Sequence, residues 1–264
     1  MVFCLVVLLG LIAVGHVSKW IYRIPLVGRA CLAPSACDGC GLRLRVKEQL
    51  PFVGFFLLGG KCSCRLVPLD RRYLLIEGVT VGAFALTSLY PVPIALAFCV
   101  YFLLLIPAIF IDLDWFILPD RLMLGLVLAG VLCSLAVPEL HHARDWRESL
   151  EAALLGVVSG AGLLGGLWVF GYVIFRREAL GVGDIKLVAG MGAFFGWQAP
   201  YYILPAGALV GAVLTITLRL IGGQRMSSPL SFGPYLALGS VLWLIDGEAP
   251  TRQFFEQFWV LFRS

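Results

Sequence analysis

Long apolar runs divide this chain and leave it few folds to choose from. They cover about residues 1–17, 73–91, 93–111, 121–137, 152–175, 185–199, 201–218 and 231–246. A helix of roughly twenty apolar residues crosses the ~30 Å hydrocarbon core of a bilayer. Within that core every backbone N–H and C=O must find its partner inside the segment, so helices are the expected form. Composition agrees: 60% of the 264 residues are hydrophobic and 14% charged, against roughly 25% charged in soluble domains. The sequence therefore predicts an all-α polytopic membrane protein with about eight transmembrane helices and excludes a soluble globular enzyme. The run at 185–199 is short for a span and is expected to be tilted or partly re-entrant. The first run carries no basic residue before Lys19, unlike a secretory leader, so it is expected to be retained as a membrane helix.

The basic residues orient the bundle. The segment after the first run holds ten: Lys19, Arg23, Arg29, Arg43, Arg45, Lys47, Lys61, Arg65, Arg71 and Arg72. Arg121 follows the third run, Arg176, Arg177 and Lys186 the fifth, and Arg219 and Arg225 the seventh. These alternate segments hold sixteen of the twenty basic residues; Arg144, Arg147, Arg252 and Arg263 make up the rest. Lysine and arginine accumulate on cytoplasmic loops, so both termini are expected outside and loops one, three, five and seven in the cytoplasm. The expected division is a first helix at 1–17, a cytoplasmic cysteine-rich loop module at 18–72, a helical membrane core at 73–246 and an interfacial segment at 247–264.

Two acidic turns then fall on the same, cytoplasmic, side. One is Ile111-Asp112-Leu113-Asp114-Trp115-Phe116-Ile117-Leu118-Pro119-Asp120; the other is Gly181-Val182-Gly183-Asp184-Ile185-Lys186. An acid at the edge of a membrane core is a functional-site hypothesis by default. Gly181 and Gly183 allow close backbone approach around Asp184, and Lys186 completes that turn. Two carboxylates sharing a low-dielectric site cannot both ionise, so the pair keeps one proton. The ionised member can then take a proton from water while the protonated member polarises a peptide carbonyl. Asp112 and Asp184 are thus the expected catalytic pair of a membrane aspartyl protease, with Asp114 a poor second choice. Asp120, after Leu118-Pro119, is expected to cap the following helix.

The first loop holds a second constellation. Cys37-x2-Cys40 and Cys62-x-Cys64 present four thiols in two close pairs. Two turns that each offer two thiolates suit a tetrahedral zinc ion, and a loop with little core of its own gains from such a staple. Cys31 is a possible substitute ligand. Cys4, Cys99 and Cys133 lie in apolar runs and are expected to pack as small apolar groups. His16 ends the first run, and His141-His142 are expected as a solvated loop pair.

Together these residues resemble the bacterial prepilin peptidases (type IV leader peptidases), a family of GxGD aspartyl proteases. The resemblance rests on Asp112-x5-Leu118-Pro119-Asp120, on Gly181-x-Gly183-Asp184-x-Lys186 and on the paired cysteines with Gly59-Gly60-Lys61-Cys62. Ile24-Pro25, Glu77 and Ser231-Phe232-Gly233-Pro234-Tyr235 add to it, so that it runs from about residue 10 to 240. It implies an inner-membrane endopeptidase with a cytoplasm-facing site, cutting the basic leader of type IV prepilins and type II secretion pseudopilins after a glycine. It also implies N-methylation of the new terminus with S-adenosylmethionine, with Gly60 and Lys61 tied to methyl transfer and Glu77 a weaker candidate. Membrane lipids are the other expected partner; no nucleic acid is expected.

Three other classes fit this chain, one of them a catalytically silent assembly protein with a zinc module. An ion- or proton-coupled transporter would show related, interrupted halves, and no internal repeat stands out. A cleavage-only intramembrane aspartyl protease would have no use for the long cysteine loop.

Overall fold

Each of the eight apolar runs folds as a helix in the computed structural model, which describes residues 2–27, 52, 55–56, 72–176, 181–222 and 231–247. The helices are α1 (Val2–Val27), α2 (Arg72–Leu86), α3 (Val92–Trp115), α4 (Asp120–Ala136), α5 (Trp146–Phe175), α6 (Val182–Phe195), α7 (Ala199–Gly222) and α8 (Gly233–Leu242). Among the described residues five segments are long and apolar enough to cross a membrane: Val2–Ile21, Arg72–Leu89, Val92–Trp115, Trp146–Ile174 and Ala199–Thr217. The 17 residues of α4 and 14 of α6 rise about 26 and 21 Å, less than the hydrocarbon core.

Several boundaries differ from the sequence reading. α1 runs on through Lys19 and Pro25 to Val27, because an established helix continues through a polar stretch at little cost once it is past the apolar run. α3 continues past the apolar run to Trp115, so Asp112 lies inside its final turn rather than in a loop. It stops because Phe116 takes a left-handed conformation, φ 53°, with its N–H bonded to the Asp112 carbonyl. α6 spans 182–195 rather than 185–199 and ends at Gly196, φ 81°. α5 opens on a reciprocal cap: Asp145 Oδ1 accepts the Glu148 N–H at 2.9 Å, and Glu148 Oε2 accepts the Arg144 N–H at 2.9 Å.

The chain forms two compact units, Met1–Pro107 and Ala108–Ser264. In the first, α1 packs on α2. Thr87, in the 3-10 turn after α2, donates to the Phe84 carbonyl at 2.7 Å and lies 3.5 Å from Cys99 Sγ. In the second, α6 packs against α4 and α5, and α7 against α8. Ten of the 14 residues of α6 are buried. α5, by contrast, exposes Leu154, Leu155, Val158, Val169, Phe170 and Val173, the apolar surface that a lipid-facing helix presents.

Candidate active site

Each aspartate of the expected pair stands at a helix end in the second unit. Asp112 and Asp184 are 6% and 8% exposed, the two buried acids among the described residues. Asp184 occupies the first turn of α6, whose N-cap is Gly181. Its backbone N–H bonds the Gly181 carbonyl at 3.1 Å. A Cβ on Gly181 would stand 3.3 Å from Asp184 Oδ2, and one on Gly183 would come within 2.9 Å of Leu118 Cβ. The glycines thus let the acid sit close to the turn that follows α3.

Asp112 has the harder position. It lies in the last turn of α3, where the helix dipole opposes a negative charge. The compensation comes from α8, whose start points at it. The Gly233 N–H, at the first turn of α8, donates to Asp112 Oδ2 at 3.2 Å. The Ser231 hydroxyl donates to the same oxygen at short range. An anion at a helix N-terminus meets both unpaired amides and the favourable end of the dipole. Gly233 has no room for a side chain: its Cβ would stand 2.5 Å from Asp112 Oδ2. Asp114, two residues on, is exposed.

The turn residues form a second link between the same elements. Lys186 Nζ meets Asp120 Oδ1 at 2.5 Å, joining α6 to α4. The expectation that Asp120 caps its helix is corrected: the N-cap is Pro119, with no side-chain cap. Asp120 is the first helical residue, so its side chain is placed to reach outward to Lys186 rather than back to the amides.

Other residues fall elsewhere. In the first unit, Glu77 on α2 accepts the Phe52 N–H at 2.7 Å, with Phe52 in a left-handed turn, φ 58°. His16 lies on α1 with its ring nitrogen 3.3 Å from the Ile12 carbonyl. Of the cysteines expected to pack, Cys99 is buried, whereas Cys4 is exposed on the surface of α1. His141 is not the solvated residue expected. It is half-buried at the end of α6, bonded to the Ala193 carbonyl, and burial holds it down at about 4. Its Nε2 has no partner among the described residues. Cys31, Cys37, Cys40, Gly60, Lys61, Cys62 and Cys64, and the segment after Gly247, lie outside the described residues. Among the described residues no group of three metal-ligating side chains occurs.

Ser231 and Gly233 were part of a motif in the sequence, yet nothing there assigned them a contact. The available signal was Gly233-Pro234, since proline in a first helical turn marks a helix start and a helix start is where an anion settles.

The type IV leader peptidase family matches residues 99–216, and the bacterial peptidase A24 N-terminal domain matches residues 8–90. A prepilin leader peptidase/N-methyltransferase of Aeromonas hydrophila is 34% identical over 227 residues, covering 85% of this chain and 75% of its own. One of Dickeya chrysanthemi is 33% identical over 267 residues, covering 90% of each. One of Pseudomonas aeruginosa is 32% identical over 233 residues, covering 85% of this chain and 76% of its own. No solved structure matches. With both family models matched in sequence order and relatives above 30% identity over most of their length, the chain belongs to the type IV leader peptidase family.

Proposed function

We propose that Asp112 and Asp184 are the catalytic pair of a membrane aspartyl endopeptidase. The observation that carries this reading is the burial of two acids, 72 positions apart in sequence, at the ends of two helices within one compact unit. Two like charges so placed share one proton. The ionised carboxylate takes a proton from water as the water attacks the scissile carbonyl carbon, and the protonated carboxyl donates a hydrogen bond to the carbonyl oxygen. The carboxyl that took the proton from water then passes it to the nitrogen, and collapse of the intermediate breaks the C–N bond to leave a free amine and a new carboxylate. Gly181, Gly183 and the Lys186–Asp120 pair next to Pro119 hold the turns in register.

The substrates in this reading are type IV prepilins and type II secretion pseudopilins, cut after the glycine that ends their basic leader. Relatives that carry the name prepilin leader peptidase support it. The helical bundle sits in the inner membrane with both termini outside. That orientation sets the pair at the cytoplasmic face, the level at which a basic leader meets an apolar helix. The exposed apolar side chains of α5 and α7 face lipid.

The same reading gives the new amine a methyl group, which S-adenosylmethionine would supply when bound. Gly60, Lys61 and Glu77 are the residues of this chain toward that step. The donor set of Cys37, Cys40, Cys62 and Cys64 suits one structural zinc ion, and metal analysis of the purified protein with cysteine-to-serine variants tests it.

The central test is processing of a co-expressed prepilin. The wild-type chain shortens it, and Asp112→Asn and Asp184→Asn each leave it full-length while still accumulating in the membrane. Normal processing by either variant would overturn the assignment. Mass spectrometry of the mature N-terminus, one methyl group heavier or not, decides the methyl transfer.

A further inference from the structure

We propose that Ser231 is a positioning residue for Asp112, acting with the Gly233 amide as a two-donor clamp on one carboxylate oxygen. The inference rests on the reading of Asp112 as a catalytic acid. Asp112 Oδ2 accepts from the Ser231 hydroxyl and from the Gly233 N–H, at 3.2 Å. Both donors come from the approach to α8 and its first turn, 119 and 121 positions away in sequence. With Oδ2 held from one side, the carboxylate plane is fixed and Oδ1 is the oxygen left to meet water or substrate. Nothing in α3 does this work. At that end of the helix the backbone offers unpaired carbonyls rather than amides, so an aspartate there has no local donor to orient it.

The bareness of Gly233 is the second observation. A Cβ at this position would stand 2.5 Å from Asp112 Oδ2, so the clamp needs a residue without a side chain immediately where the helix begins. Phe232, between the two donors, lies at the N-cap in a helical conformation, φ −90° and ψ −23°. The chain therefore turns into α8 so that a side-chain hydroxyl and a backbone amide two residues later converge on one oxygen. A serine retained only for solubility has no reason to bond a buried carboxylate on another helix.

The clamp predicts a loss in turnover rather than in substrate binding, because it orients a reacting group and need not touch the substrate. The experiment is steady-state cleavage of a prepilin by the full-length protein in detergent, comparing wild type, Ser231→Ala, Ser231→Thr and Ser231→Val. Threonine and valine share one shape and differ by the hydroxyl, so any packing penalty of the branched side chain is common to both. We expect Ser231→Thr to retain most of kcat. Ser231→Val and Ser231→Ala should lose about ten- to a hundredfold, the worth of one hydrogen bond to a charged group, with KM within about twofold of wild type. Equal rates in the threonine and valine variants would overturn the clamp, as would a loss confined to KM. Ser240→Ala, a buried serine on α8 that bonds the Ala237 carbonyl, serves as the control and should leave kcat unchanged. The outcome is separable from the parent reading. Cleavage by Asp112→Asn would remove both, whereas inactive aspartate variants beside a fully active Ser231→Val would remove the clamp alone.

Discussion

Two helix pairs in this protein meet through glycine, and they do so differently. In the N-terminal unit, Gly10 of α1 lies against the Phe84 side chain of α2, where an added Cβ would stand 3.0 Å from Phe84 Cβ. In the C-terminal unit, Gly156 of α5 and Gly192 of α6 meet backbone to backbone. A Cβ on either would overlap the other's carbonyl oxygen, and one on Gly160 would come within 2.6 Å of the Val188 carbonyl. Membrane helices lack a hydrophobic drive to associate and rely on such close packing. At 3.0 Å Phe84 Cβ has to give by only a few tenths of an ångström, whereas the overlapped carbonyl oxygens of Gly156 and Gly192 can be cleared only by parting the two helix backbones. The seam that carries Asp184 is therefore the stiffer of the two, which suits a helix that has to present one acid to another.

The largest effects should come from that seam. Gly156→Ala and Gly192→Ala are each expected to destabilise by about 3 kcal/mol or more, the upper range for overpacking where neighbours cannot move. Thermal midpoints and accumulation in membranes measure this. Wild-type accumulation of either variant would show that α5 and α6 can slide apart.

A pH effect at the far end of the same helix comes next. Burial first, and the His142 charge to a lesser degree, hold His141 at about 4, while its bond to the Ala193 carbonyl acts the other way. The unfolded chain takes up this proton near 6.5. The folded state is therefore favoured above pH 6.5, and that contribution is lost as pH falls from 6.5 through 4. After allowance for solvent screening it amounts to about 2 kcal/mol at most. The melting temperature of wild type should fall more steeply between pH 7 and 5 than that of His141→Gln. Parallel curves would place the residue in water after all.

Smaller changes sharpen the contrast from the other side. Gly10→Ala should alter stability by no more than about 1 kcal/mol, since Phe84 has to give only a few tenths of an ångström. An effect as large as that of Gly192→Ala would erase the distinction between the two seams. Lys186→Ala should matter least. Its partner Asp120 is 78% exposed and Lys186 itself 42%, and surface pairs are worth about 0–1 kcal/mol. The difference from wild type should shrink further as salt is raised.

Much of this was legible in the chain before it was folded. The eight apolar runs announce eight helices because each needs nothing but its own backbone hydrogen bonds. Asp112 and Asp184 stand out because an acid beside an apolar run is conspicuous whatever surrounds it. Legibility failed where a residue's role depends on a neighbour from elsewhere. Asp120 has the sequence of a cap and serves instead as the partner of Lys186, 66 positions away. His141 reads as a loop residue because nothing local says that α6 ends against it.

The sequence alone determined the helical class, the membrane-spanning character of its long segments and the two acids worth watching, all through patterns that act over one turn or one helix. The tertiary structure decided which helix faces meet: that the start of α8 is aimed at Asp112, that Gly156 lies on Gly192, and that Ser231 spends its hydroxyl on a carboxylate. Hydrogen bonds and close packing act over a few ångströms, so residues more than a hundred positions apart acquire their roles only when the fold sets them side by side.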